Sequence, residues 1–270
     1  MSVEWPLAYV NVDLADHLVK TTLLARCLFD NDIKAAARRA NIDREVLDKI
    51  LTISALLHDL GKASRYYLDR WRTKGELTFP YHEIISALFL FQASREARNE
   101  PMKACTFMTA AKIVSRHHVA MRGRHPRDYS VGDKRMKDLS RIVDGLDAND
   151  VISVLDKLLS QPATKIVDQE LKFLKSNAQQ LLHNLKLNMP QKISSLADLR
   201  KNPGYACGNM NELIVVRVCT GFLIVADNIV ASYEGRDAED YPTRVHVENW
   251  KKELKNINNC RINYDTIDLI

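Results

Sequence analysis

The segment Leu56-Leu57-His58-Asp59-Leu60-Gly61-Lys62 constrains this chain more than any other, because it ends an apolar helical run in a vicinal His-Asp pair. Adjacent residues on a helix point about 100° apart, so the two side chains reach one site most easily where the helix stops. Gly61 is the expected stop, as a C′ residue in the left-handed region. Similar side chains recur in similar settings. His17 falls in the first turn of a helix near Asp13 and Asp16, which read as capping or solvated. His82 opens a helix after Pro80-Tyr81, His117-His118 close the apolar run Cys105 to Val114, and Asp227 interrupts the apolar run Ile224 to Val230. A buried aspartate on such a helix needs a cation or donors.

Apolar residues recur at helical spacing in nearly every long segment, and no period-2 strand or Asn-Gly hairpin stands out. The expected fold is all-α, a single helical-bundle domain over residues 1–270. Helices are predicted at Leu14 to Phe29, Arg44 to His58, His82 to Arg95, Met102 to Arg116, Asp150 to Leu159, Lys165 to Leu187, Asn211 to Tyr233 and Val247 to Asn256. Ala120 to Asp138 and Asn188 to Met210 read as loops. Leu213 to Ala231 is apolar, but Arg217, Asp227 and Asn228 interrupt it, so a buried helix is expected and no membrane partner. The five cysteines are widely spaced, odd in number and without Cys-x-x-Cys. That pattern suggests neither a disulfide framework nor a zinc ribbon, and it fits a reducing cytoplasm. The N-terminus, with Glu4 and Pro6, does not read as a signal peptide.

Five histidines and two aspartates exceed the needs of one metal ion. They suit two ions sharing one carboxylate, an arrangement that hydrolyses phosphodiester bonds. Mixed imidazole and carboxylate ligands favour manganese, iron, cobalt or nickel, with zinc admissible, over magnesium or calcium. Asp59, with an oxygen for each ion, is the natural bridge. Any one of these histidines alone would be an ordinary core or surface residue, and the set as a whole carries the inference. His125, His183 and His246 lack neighbouring carboxylates on apolar faces and are left out. Lys62 has two readings of equal weight, a contact to the scissile phosphate or a cation at a helix C-terminus.

The net charge of +5 permits a nucleic-acid partner without demanding one, so its placement matters. From Arg116 to Lys137 there are seven Lys/Arg against two Asp, next to the candidate ligands His117-His118. Arg122, Arg124, Arg127, Lys134 and Arg135 are therefore candidate contacts for a polynucleotide backbone, against the commoner reading of a solvated charged loop. Tyr129 and Tyr66-Tyr67 are weaker candidates for base stacking.

The order His17, His58-Asp59-Leu60-Gly61-Lys62, His82, His117-His118, Asp227 resembles the HD superfamily of metal-dependent phosphohydrolases. His17, His58, Asp59 and Asp227 match the positions that surround one metal in simple members. His82, His117 and His118 look like the second-metal ligands of the CRISPR-associated HD nuclease. The resemblance implies a divalent-metal nuclease cutting single-stranded DNA, with His17, His58, Asp59 and Asp227 on one ion and Asp59, His82, His117 and His118 on the other. It also implies a guide-RNA surveillance complex and a superfamily 2 helicase as partners. No Gly-x-x-x-x-Gly-Lys-[Ser/Thr] phosphate loop is present, so the helicase is expected on a separate polypeptide. Two other readings stand beside it: an HD phosphohydrolase acting on nucleotides or cyclic dinucleotides, and a non-enzymatic subunit that binds nucleic acid or partners. The basic loop favours the nuclease over the first, and the complete ligand set favours it over the second.

Overall fold

Asp13 starts the helical part of the chain. Its carboxylate accepts from the Ala15 and Asp16 amides and caps α1 (Leu14–Leu28), satisfying donors that a helix start leaves unpaired. A computed structural model describes residues 5–118, 133–187 and 210–234, with only the backbone of 133–135. Within these residues the chain continues through α2 (Asp30–Ala40), α3 (Arg44–Leu57), α4 (Arg65–Lys74), α5 (His82–Glu96), α6 (Pro101–Val114), α7 (Asp133–Asp144), α8 (Ala148–Leu159), α9 (Asp168–Lys186) and α10 (Glu212–Tyr233). The architecture is all-α, as the periodicity predicts, with one small exception. A two-stranded antiparallel hairpin, β1 (Leu7–Tyr9) and β2 (Val12–Asp13), precedes α1 and corrects the expectation of no hairpin. Its turn is Val10-Asn11 with Asn11 at φ 62°, so the usual Asn-Gly signature is absent.

Three helices were not expected from the pattern, and each has a physical reason. The buried face of α2 is Ile33, Ala36, Ala37 and Ala40, a helical stripe whose alanines barely register as hydrophobic. Asn41 ends it in the left-handed region, its amide donating to Ala37 and Arg38 carbonyls. Only Tyr67 of α4 is buried, so that helix shows no stripe. Among the described side chains of α7 the fully buried ones are Leu139, Ile142 and Val143, and its basic start reads as loop; the predicted loop Ala120 to Asp138 is corrected to a helix from Asp133. The predicted loop before Met210 and the predicted helix Val247 to Asn256 lie outside the described residues.

Two apolar clusters form the core. One joins α5, α6, α8 and α9 with faces of α1 and α3. The other packs α10 against α1, α2, α3 and α6. In the second, Phe29 and Phe222 stack at 4.1 Å, fixing the end of α1 on the middle of α10. By length and composition α10 would suffice to cross a bilayer, but its Val215, Cys219, Phe222, Ala226 and Ile229 are buried against these helices. Lys112 and Glu212 form a buried ion pair at 2.7 Å that ties α6 to the start of α10. The cysteine reading needs correction: Cys27 and Cys105 are disulfide-bonded, while Cys219 is a buried free thiol. Spacing along the sequence does not say which cysteines packing brings within bonding reach.

Candidate metal centre

The helix ends bring the candidate ligands together. After Leu57, His58 continues in helical conformation, Asp59 leaves it at φ −108°, and Leu60–Ala63 forms a short 3₁₀ turn. Gly61 lies inside that turn with no positive φ, so its predicted role as a left-handed stop is wrong. What Gly61 supplies is proximity. A Cβ there would lie 2.3 Å from the His82 carbonyl oxygen, and its amide donates to Ser86 Oγ at 2.8 Å. The absent side chain lets the His58-Asp59 turn press onto the start of α5, where His82 sits.

All seven candidate metal ligands are buried, and they form two quartets sharing Asp59. His17, His58, Asp59 and Asp227 make one, and Asp59, His82, His117 and His118 the other; within each, the four ligand atoms lie within 4.8 Å of one another. Asp59 divides its oxygens between them. Oδ2 is 3.6 Å from His17 Nε2 and 3.4 Å from His58 Nε2, whereas Oδ1 is 2.9 Å from His82 Nε2 and 3.6 Å from His117 Nε2. Asp227 Oδ1 closes the first quartet at 3.2 Å from His17 Nε2 and 3.5 Å from His58 Nε2. His118 Nε2 lies 2.8 Å from His82 Nε2 in the second.

The rings are aimed by their other nitrogens. The Nδ1–H groups of His58, His82 and His117 donate to the carbonyls of Ala55, Phe79 and Val114, each three residues back. A carbonyl only accepts, so these bonds leave Nε2 as the atom facing the site. His17 differs: its Nδ1 lies 2.7 Å from Glu234 Oε2. Sequence reasoning missed Glu234, although its place two turns beyond Asp227 puts it on the same side of α10.

Charge is concentrated here. Burial opposes ionisation of Asp59, but the charges of His58, Lys62 and His82 overcome it and hold its pKa well below the usual carboxylate range. Asp227 is lowered in the same way, burial being outweighed by His17 and His58. Burial also disfavours charge on His17 and His58, yet the surrounding carboxylates raise them to about 10 and about 9. His117 and His118 are lowered, chiefly by burial. The first quartet therefore attracts positive charge, whereas burial favours the neutral form of His117 and His118 in the second.

Five buried atoms of the cluster have no hydrogen-bond partner outside it: His17 Nε2, His58 Nε2, His117 Nε2, Asp59 Oδ1 and Asp227 Oδ1. An unsatisfied buried polar group costs about 1–3 kcal/mol, and native proteins leave few. All five converge on the two quartets. Imidazole nitrogens and carboxylate oxygens at this spacing fit divalent transition ions.

Lys62 is buried, with Nζ 2.6 Å from Asp59 Oδ2 and 3.2 Å from the Ala8 carbonyl oxygen. The Tyr9 and Phe79 rings flank it at 4.3 and 5.0 Å. A solvated helix-end cation does not describe this setting. The hairpin thus forms one wall of the site, with Tyr9 also edge-on to His17. Among the candidate nucleic-acid contacts, Arg122, Arg124 and Arg127 lie outside the described residues, and Lys134 and Arg135 fall in the first turn of α7, where only the backbone is described.

The family model described as "Cas3, HD domain" matches residues 9–232, which include all seven quartet residues. Comparison with curated proteins and with solved structures returned no match.

Proposed function

Because the chain belongs to the Cas3 HD-domain family, a family of metal-dependent phosphohydrolases and nucleases of CRISPR defence, we propose that it cuts single-stranded DNA at a centre of two divalent ions. The observation that carries this reading is the sharing of Asp59 between two quartets on which five buried atoms without partners outside the cluster converge. His17, His58, Asp59 and Asp227 would hold one ion, and Asp59, His82, His117 and His118 the other. Bound there, divalent ions lower the pKa of water and neutralise charge on the attacked phosphate.

The chain's own part is largely positional. Nδ1 anchoring of His58, His82 and His117 fixes the ring planes, so that their Nε2 atoms need little rearrangement to bind. Asp59, drawn on by charges from both sides, stays ionised and can face both ions. Lys62 has three N–H donors. Asp59 and the Ala8 carbonyl take two, which leaves one to donate to a phosphate oxygen as charge develops.

The whole chain, residues 1–270, acts as one HD domain in the cytoplasm. It works with a separate superfamily 2 helicase and a guide-RNA surveillance complex, and its ions are manganese, iron, cobalt or nickel, with zinc admissible. Arg122, Arg124, Arg127, Lys134 and Arg135 guide the DNA backbone. Neutralising Arg122, Arg124 and Arg127 together should flatten the salt dependence of DNA binding, by roughly 0.7 in slope per lost phosphate contact, without changing ion content.

The test is turnover of circular single-stranded DNA beside a panel of mononucleotides and cyclic dinucleotides. DNA cleavage should vanish with chelator and return with Mn²⁺, Co²⁺, Ni²⁺ or Fe²⁺ better than with Ca²⁺. Turnover of the small nucleotides with DNA left intact would overturn the nuclease reading, and equal rescue by Ca²⁺ would overturn the imidazole-rich centre.

A further inference from the structure

Glu234 follows the last residue of α10 and is almost wholly buried, its side chain 7 % exposed. Its carboxylate spans two residues one turn apart on α1. Oε2 lies 2.7 Å from His17 Nδ1, and Oε1 accepts from Lys20 Nζ at 3.3 Å. A buried carboxylate persists only with such donors, so the contact is a formed element of the fold. The other anchored rings of the cluster, His58, His82 and His117, use backbone carbonyls for the same purpose. A carboxylate differs from a carbonyl in carrying charge. It makes the imidazole behind it a more basic ligand, and such outer partners typically contribute 10- to 100-fold to metal affinity.

We propose that Glu234 is a positioning residue for the ion of the His17, His58, Asp59 and Asp227 quartet, holding His17 so that Nε2 faces that ion and strengthening it selectively over the other. The inference rests on the metal-centre reading above. Glu234 touches no ion itself. As an acceptor it requires the proton of His17 to sit on Nδ1, which leaves the Nε2 lone pair for coordination. It also anchors the end of α10 to α1, keeping Asp227 and His17 in register on the two helices. In the second quartet the described Nδ1 anchors are the backbone carbonyls of Phe79 and Val114, and Glu83 Oε2, 3.8 Å from His82 Nδ1, stands beyond hydrogen-bond reach, so the effect falls mainly on one ion.

The experiment is calorimetric titration of the full chain with Mn²⁺, comparing wild type, Glu234→Gln and Glu234→Ala, with urea midpoints in chelator as a record of the fold. Glu234→Ala should weaken one of two ions by about 10- to 100-fold, with the other nearly unchanged. Glu234→Gln keeps the shape and an acceptor oxygen but loses the charge, and it should fall between. Wild-type affinity for both ions in Glu234→Ala would overturn the proposal. So would parallel weakening of both ions with a lowered urea midpoint, the mark of a purely structural role. Wild type that binds no Mn²⁺ would instead overturn the metal-centre reading and this inference with it.

Discussion

Gly61→Ala tests how the site is assembled, because the residue touches the ligands only through the backbone. The added Cβ would lie 2.3 Å from His82 O and 3.0 Å from both His82 C and Ile85 Cβ. None of these atoms is the flexible end of a side chain. To restore ordinary contact the 3₁₀ turn and the start of α5 must separate by roughly 1 Å. Overpacking of this kind costs about 1–3 kcal/mol. The functional cost is larger, because the same displacement moves His58 and Asp59 away from His82. Metal and catalytic constellations tolerate only about 0.5 Å, and a misplacement near 1 Å can reduce rate about 100-fold. The assay pairs urea unfolding in chelator with Mn²⁺ titration and DNA cleavage. Gly61→Ala should lose stability in that range, lose affinity for the ion that His82 helps to hold, and cleave at about 1 % of wild type or less. Gly221→Ala is the control: nothing lies within 4 Å of its Cβ position, so it should gain about 0.5–1 kcal/mol from the helix preference for alanine. Wild-type stability and ion affinity in Gly61→Ala would refute the close-approach argument.

Asp59→Asn removes the charge shared by both quartets and should abolish cleavage and binding of both ions, whereas exposed His183→Ala should change neither; an Asp59→Asn protein that retains both ions and near wild-type cleavage would falsify the bridging role. The folded pKa values of His17 and His58, about 10 and about 9 against 6.5, stabilise the chelated protein fully below about pH 6.5, and this contribution is lost as pH rises through 9 to 10. Urea midpoints in chelator should therefore fall across that window, and midpoints that rise there would contradict the coupling to the carboxylates. Glu212→Ala leaves Lys112 buried without its partner and should cost about 3–5 kcal/mol. The double change Lys112→Met with Glu212→Leu should recover most of that loss in thermal unfolding, and no recovery would show that the pair contributes more than charge balance.

The helices that carry the site were legible in the sequence because their apolar stripes are made of large side chains. His17, His58, Asp59, His82 and Asp227 stood out as polar residues set against such stripes, and His117-His118 by closing one. The small and polar helices α2, α4 and α7 were not legible, since alanine and charged faces leave no periodic signal. Gly61 carries a misleading signal: a glycine after a helix suggests a left-handed cap, and only the packed structure reveals the His82 carbonyl pressed against it. Glu234 escaped because a glutamate ending a helix looks solvated until α1 is packed beside it. The hairpin wall, with Ala8 and Tyr9 around Lys62, is too short for any alternation to show.

The central claim, that one carboxylate joins two ion sites, is tested most directly by anomalous diffraction from crystals soaked with Mn²⁺. The account predicts two anomalous peaks about 3.5–4 Å apart, with Asp59 giving one oxygen to each, His17, His58 and Asp227 around the first and His82, His117 and His118 around the second. A single peak at full Mn²⁺ saturation, or two peaks with Asp59 bound to only one of them, would contradict it.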